Sequence, residues 1–78
     1  MAHQVPWDKI ILEEFIRLGA LTETEEMIMR TRVAGMSRVE QSLKFGLSVA
    51  SIDRAIASCK KKYDAVEQYS YILPPRKR

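Results

Sequence analysis

The sequence predicts an all-α protein, a small bundle of four helices, and three observations carry that expectation. Two capping boxes, Thr22 with Glu25 and Ser37 with Glu40, place a hydroxyl and a carboxylate where the first amides of a helix need acceptors. Two compact breaks, Ala34-Gly35-Met36-Ser37 and Phe45-Gly46-Leu47-Ser48, divide the middle of the chain into helical lengths. The residue types that dominate that middle, Ala, Met, Leu, Ile, Glu, Lys and Arg, are helix formers.

Residues 1–5 show no pattern and are expected to be loose. Pro6, Trp7 and Asp8 open the first helix, in which Ile11, Leu12, Phe15 and Leu18 recur at i, i+1, i+4 and i+7 with Glu13, Glu14 and Arg17 opposite. Asp8 suits the positive helix end, Gly19 is placed to stop the helix, and Trp7 is expected in the core or in a staple. Thr22 caps the second helix, whose apolar face is Ile28, Met29 and Val33 and whose end is set by Gly35. Ser37 starts a short third helix that runs to about Phe45 and is broken by Gly46. Ser48 is the expected cap of the fourth, where Ile52, Ile56, Cys59, Tyr63 and Val66 follow an i, i+4, i+7, i+11, i+14 stripe opposite Ser51, Arg54, Ser58, Lys61 and Lys62. Pro74 and Pro75 cannot continue a helix. Tyr69, Tyr71, Ile72 and Leu73 are too apolar for a solvated tail, so they either fold back onto the domain or cover a partner chain. The expected organisation is one helical domain over residues 1–73 and a basic tail over 74–78.

A 78-residue chain buries only about 60% of the surface its unfolded form exposes, so stability is modest and dimerisation is a natural supplement. The single cysteine, Cys59, has no intramolecular disulfide partner, and one histidine, His3, leaves no set of soft metal ligands, so no cofactor is expected and the setting is a reducing cytoplasm. No apolar run nears the roughly 18 residues of a membrane span, and the N-terminus lacks the regions of a signal peptide. Neither a Ser/His/Asp or Cys/His set nor a glycine-rich phosphate loop is present, which argues against an enzyme with a small-molecule substrate. Cys59 lies on the apolar stripe and reads as a core residue.

Net charge is only +3, but it is polarised. Residues 1–28 carry two basic and six acidic side chains, residues 29–73 eight basic and four acidic, and Arg76, Lys77 and Arg78 follow. The basic part coincides with a short helix, a tight glycine break and a longer helix, the arrangement of a helix-turn-helix, here at about residues 37–64. Such a unit offers its second helix to the major groove of double-stranded DNA while the first steadies it across the phosphates.

From Leu21 to Lys62 the sequence resembles the C-terminal promoter-reading domain of bacterial sigma factors and the related reading domain of LuxR-type response regulators. The stretches that carry the resemblance are Leu21-Thr22-Glu23, Arg30-Thr31-Arg32-Val33-Ala34-Gly35-Met36-Ser37, and Phe45-Gly46-Leu47-Ser48 with Ile52 and Ile56 beyond. It implies a core role for Leu47, Ile52 and Ile56. It implies a groove side formed by Val49, Ala50, Ser51, Asp53, Arg54, Ala57 and Ser58, beside the cap Ser48, with Ser37, Arg38 and Lys44 near phosphates. In chemical terms Arg54 suits guanine, Asp53 cytosine, Ser51 several base edges, and the methyls of Val49 and Ala50 thymine, while Lys60, Lys61 and Lys62 suit the backbone.

Four positions depart from the family pattern. Gln41 stands where the short helix turns an apolar residue inward, Val39 and Leu43 stand where polar residues are usual, and Thr31 replaces an apolar residue in the preceding helix. Either the short helix is rotated or it presents apolar surface to a partner. The chain has no room for the other parts of a sigma factor or response regulator, so the resemblance implies a free-standing reading module of the kind phages and mobile elements encode. One domain reads few base pairs, which implies a homodimer or a larger partner such as an RNA polymerase component. The competing expectation is a helical adaptor that binds protein through Val39, Leu43 and residues 69–73.

Overall fold

The computed structural model describes residues 7–74 and consists of α1 (Lys9–Gly19), α2 (Glu23–Val33), α3 (Arg38–Phe45), α4 (Val49–Val66) and a 3-10 turn at Glu67–Tyr69. The expectations for residues 1–5, for Pro6 and for the basic residues 76–78 lie outside the described residues. The protein is all-α, as the sequence predicts, and α4 packs against each of the other three helices.

Helices α2, α3 and α4 start on the predicted caps Thr22, Ser37 and Ser48, and α1 starts after Asp8, which the sequence places at the positive helix end and which here serves as its N-cap. Asp8 accepts from the Ile11 amide at 2.8 Å, Ser48 from the Ser51 amide at 3.0 Å, and both capping boxes are complete, with Thr22 and Glu25 at 2.9 and 3.1 Å and Ser37 and Glu40 at 2.8 and 3.2 Å. Two helix ends follow from a left-handed glycine. At Gly35 (φ +105°) the amides of Gly35 and Met36 donate to the carbonyls of Arg32 and Thr31, and at Gly46 (φ +67°) the Leu47 amide returns to Ser42. The end of α1 differs from the expectation. Gly19 is its last helical residue, and Ala20 takes the left-handed conformation at φ 52°. Gly19 matters for packing instead: a Cβ there would stand 2.9 Å from the Phe15 ring.

The core is built on Leu12, Phe15, Met29, Cys59, Tyr63 and Leu73. Trp7, half-buried, joins Phe15 and Tyr63 in a trio of rings with centroids 5.2–5.8 Å apart, two of the three pairs edge-on. Leu73 brings the C-terminal segment into this core, where Ser70 Oγ donates to Glu14 at 2.9 Å and Tyr63 donates to the Pro74 carbonyl. Of the two fates open to residues 69–73, Ser70 and Leu73 therefore fold back onto the domain, while Tyr69, Tyr71 and Ile72 face outward.

Between α2, α3 and α4, Ile28, Gln41 and Ile52 are completely buried. Gln41 Nε2 donates to the Ile28 carbonyl at 2.8 Å and to Thr31 Oγ1 at 2.9 Å, while Gln41 Oε1 is buried without a hydrogen-bond partner. Gln41 and Thr31, two of the positions that depart from what the resemblance implies, thus meet: the buried amide on α3 donates to the hydroxyl on α2. The short helix is not rotated. Its position 41 points inward, and Val39 (60% exposed) and Leu43 (80% exposed) present apolar surface on the outside.

Candidate nucleic-acid interface

The orientation of α4 follows from its sequence. With Ile52, Cys59 and Tyr63 buried, about 100° of rotation per residue puts Ala50, Arg54, Ala57 and Lys61 on the opposite line, and all four are exposed. Val49 is exposed at the first turn of the same helix. The small side chains of Ala50 and Ala57 flank Arg54, so an approaching surface meets little except the guanidinium. Arg54 is held in turn: its Nη2 donates to Ser51 Oγ at 3.1 Å, and Ser51 Oγ accepts from Ser48 Oγ at 3.0 Å. Through this ladder the helix cap positions the guanidinium and leaves most of its donors open.

The two flanks of this line are pinned to the rest of the fold. On one, Ser58 Oγ and Lys62 Nζ both donate to Glu25, each at 2.6 Å, and Lys62 also lies 3.5 Å from the Ala20 carbonyl at the end of α1. Glu25 is 7% exposed and already closes the Thr22 capping box, so its carboxylate ties the start of α2 to the middle of α4. Burial pushes the Glu25 carboxyl up, but the hydrogen bonds from Lys62, Ser58 and the Thr22 amide outweigh it and hold it at about 2. The resemblance places Ser58 on the groove side, and charge alone assigns Lys62 to the phosphates; the structure commits both to Glu25. Four residues of separation put them on one side of the helix, and the buried carboxylate needs both donors.

On the other flank, Arg38 Nη1 lies 2.7 Å from Asp53 Oδ1, joining the first turn of α3 to α4. The pair is about half-exposed on both sides, so the Asp53 carboxylate has a cation beside it at the surface. Arg38 and Asp53 also line a shallow depression with Arg32, Ile56, Ala57 and Lys60. Lys44 is exposed at the end of α3. The resemblance's core position Leu47 is half-buried at the turn, and Ile56 is half-buried on α4.

Two cations of the basic stretch, with no individual role in the sequence reading, receive one from the fold. Arg30, part of the basic stretch, is spent on Glu13 at 2.7 and 3.1 Å and on Glu26 at 3.0 Å, clamping α1 to α2. Arg32 enters the depression beside α4, a placement with no local sequence signal, because only the turn at Gly35 brings the end of α2 there. Cys59 is 2% exposed, and burial, with the nearby Glu25 charge, pushes its thiol up to about 11, so it is a protonated core residue. Among the described residues no cluster of three or more His, Cys, Asp or Glu side chains could hold a metal ion, and no helix is long and apolar enough to cross a membrane. No family model, curated protein or solved structure matches the chain.

Proposed function

We propose that the chain is a DNA-binding helix-turn-helix protein, a transcriptional regulator that reads duplex DNA through α4 with α3 across the phosphates. The observation that carries this reading is the outward line Ala50, Arg54, Ala57 and Lys61 on a helix whose two flanks are fastened, one to Glu25 and one to Arg38. A recognition helix has to be rigid and to offer few, well-held donors, because reorganising side chains at the groove costs affinity. Arg54 suits a bidentate contact to guanine, Val49 and Ala50 suit thymine methyls, and Lys44, Lys60 and Lys61 suit the backbone.

Selection of bound duplexes from a random pool, followed by anisotropy titrations, tests the reading. Arg54→Ala is expected to cost about 1–3 kcal/mol and to relax one base position. Lys60→Glu with Lys61→Glu is expected to weaken all duplexes uniformly; Lys62 is left out because its loss would disturb the fold. Failure to bind any duplex at low salt would refute the proposal.

A second reading is supported by the outward Val39 and Leu43, together with Tyr69, Tyr71 and Ile72. These side chains suit a protein partner, either a second copy of the chain or a transcription component, and under this reading the protein is an adaptor without duplex affinity. A single reading helix gains specificity from such a partner, so the two surfaces also serve one protein together.

A further inference from the structure

We propose that the depression between the end of α2, the start of α3 and the middle of α4 is a binding notch for one phosphate group, occupied in the free protein by the chain's own Asp53 carboxylate. The inference rests on the duplex reading for its natural ligand, a backbone phosphodiester, and deepens that reading by giving Asp53 the role of resident counter-ion in place of a base reader.

Three helices each contribute a cation to this one depression: Arg32 from α2, Arg38 from α3 and Lys60 from α4. Only one carboxylate, that of Asp53, lines it with them, so the notch carries an excess of two positive charges. Arg38 uses a single Nη1–Oδ1 contact of 2.7 Å, which leaves the rest of its guanidinium fork open. Arg32 and Lys60 make no ion pair among the described residues. Ile56 and Ala57 supply an apolar lining that offers an anion no competing acceptor.

A half-exposed ion pair contributes little to stability, so a phosphate oxygen can share or take Arg38 at little cost. The carboxylate meanwhile lowers the attraction of the notch for any stray polyanion. Asp53 thereby reduces affinity for DNA in general while leaving the contacts of Arg54 untouched, and selectivity rises as non-specific binding falls.

Two measurements on the full chain test this. In the first, log Kd against log salt is compared for the native protein, Asp53→Asn and Arg32→Gln with Lys60→Gln, on selected and scrambled duplexes. Asp53→Asn is expected to bind both duplexes more tightly, with a salt slope steeper by about one, which is a further three- to fourfold loss between about 50 and 200 mM salt. The Arg32/Lys60 variant is expected to have a slope shallower by one to two. In the second, inorganic phosphate is titrated against chloride at equal ionic strength while 15N-labelled protein is followed by NMR; shifts are expected at Arg32, Arg38 and Lys60.

Duplex binding with salt slopes unchanged in both variants overturns the notch while leaving the duplex reading intact. Phosphate shifts at the notch without any duplex binding refute the duplex reading and support a phosphate site. An Asp53→Asn variant that binds no tighter but changes preference at one base position makes Asp53 a base reader and overturns the proposal.

Discussion

Replacing Glu25 with Gln removes one charge from the centre of the fold while keeping a side chain that can still complete the Thr22 capping box. In the native protein the Glu25 carboxylate accepts from the Thr22 amide at 2.9 Å and from Ser58 and Lys62 at 2.6 Å, in a site only 7% exposed. Its pKa is depressed from 4.5 to about 2, and a depressed folded-state pKa stabilises the fold above the unfolded value and ceases to do so as pH falls through the folded value. At about 1.4 kcal/mol per pKa unit the ionised carboxylate contributes roughly 3 kcal/mol at neutral pH. That is a large share of the 5–15 kcal/mol typical of a small domain and corresponds to a melting temperature lowered by about 15 °C in a chain of this length.

The assay is urea unfolding followed by circular dichroism at a series of pH values from about 7 to 2. The native protein is expected to lose that increment as pH falls from about 4.5 towards 2, while Glu25→Gln starts lower and runs flatter over the same window. The carboxylates Glu13, Glu14 and Glu40, whose pKa values are also lowered by their hydrogen bonds to Arg30, Arg17 and Ser37, titrate in both proteins and cancel in the difference. Parallel curves for the two proteins, or a difference below about 0.5 kcal/mol at pH 7, would refute the role given to Glu25, since a change that small is what an ordinary surface site gives.

Two further substitutions probe the packing. Gln41→Leu removes two hydrogen bonds but also an acceptor buried without a partner, so its stability is expected to stay within about 1 kcal/mol of the native value, whereas Gln41→Glu, which buries a charge there, is expected to lose about 3 kcal/mol or more; thermal unfolding separates them. Gly19→Ala would normally favour a helix, but its Cβ meets Phe15 at 2.9 Å, so a loss of about 1–3 kcal/mol is expected in denaturant unfolding, and a stabilised variant would contradict the packing described.

What was legible in the sequence is what depends on neighbours within one turn. Thr22, Ser37 and Ser48 cap three of the four helices because a side-chain acceptor two or three residues ahead of an unpaired amide is a local arrangement, and Gly35 and Gly46 end two of them because a left-handed residue is a local need. The apolar stripe of α4 reads correctly for the same reason, as helical periodicity alone sets which side faces the core. Gly19 is the instructive exception. The sequence places a glycine near a helix end, but the reason for it is the ring of Phe15, a contact whose closeness depends on how the core holds that ring.

The candidate site depended on distances that no local pattern encodes. Periodicity puts Ser58 and Lys62 on a flank of α4 and Arg54 on its outer line, but it does not say that Glu25, 33 and 37 residues before the first two, is the acceptor both of them reach. Gln41 and Thr31 look like separate departures from a family pattern until they meet across α2 and α3 at 2.9 Å. By itself the sequence determined an all-α chain, its helix starts and which face of α4 is buried, because capping and periodicity are short-range. Only the tertiary structure decided which cations are spent inside the fold and which reach the surface, because a buried carboxylate captures whichever donors the packing of distant helices brings within reach.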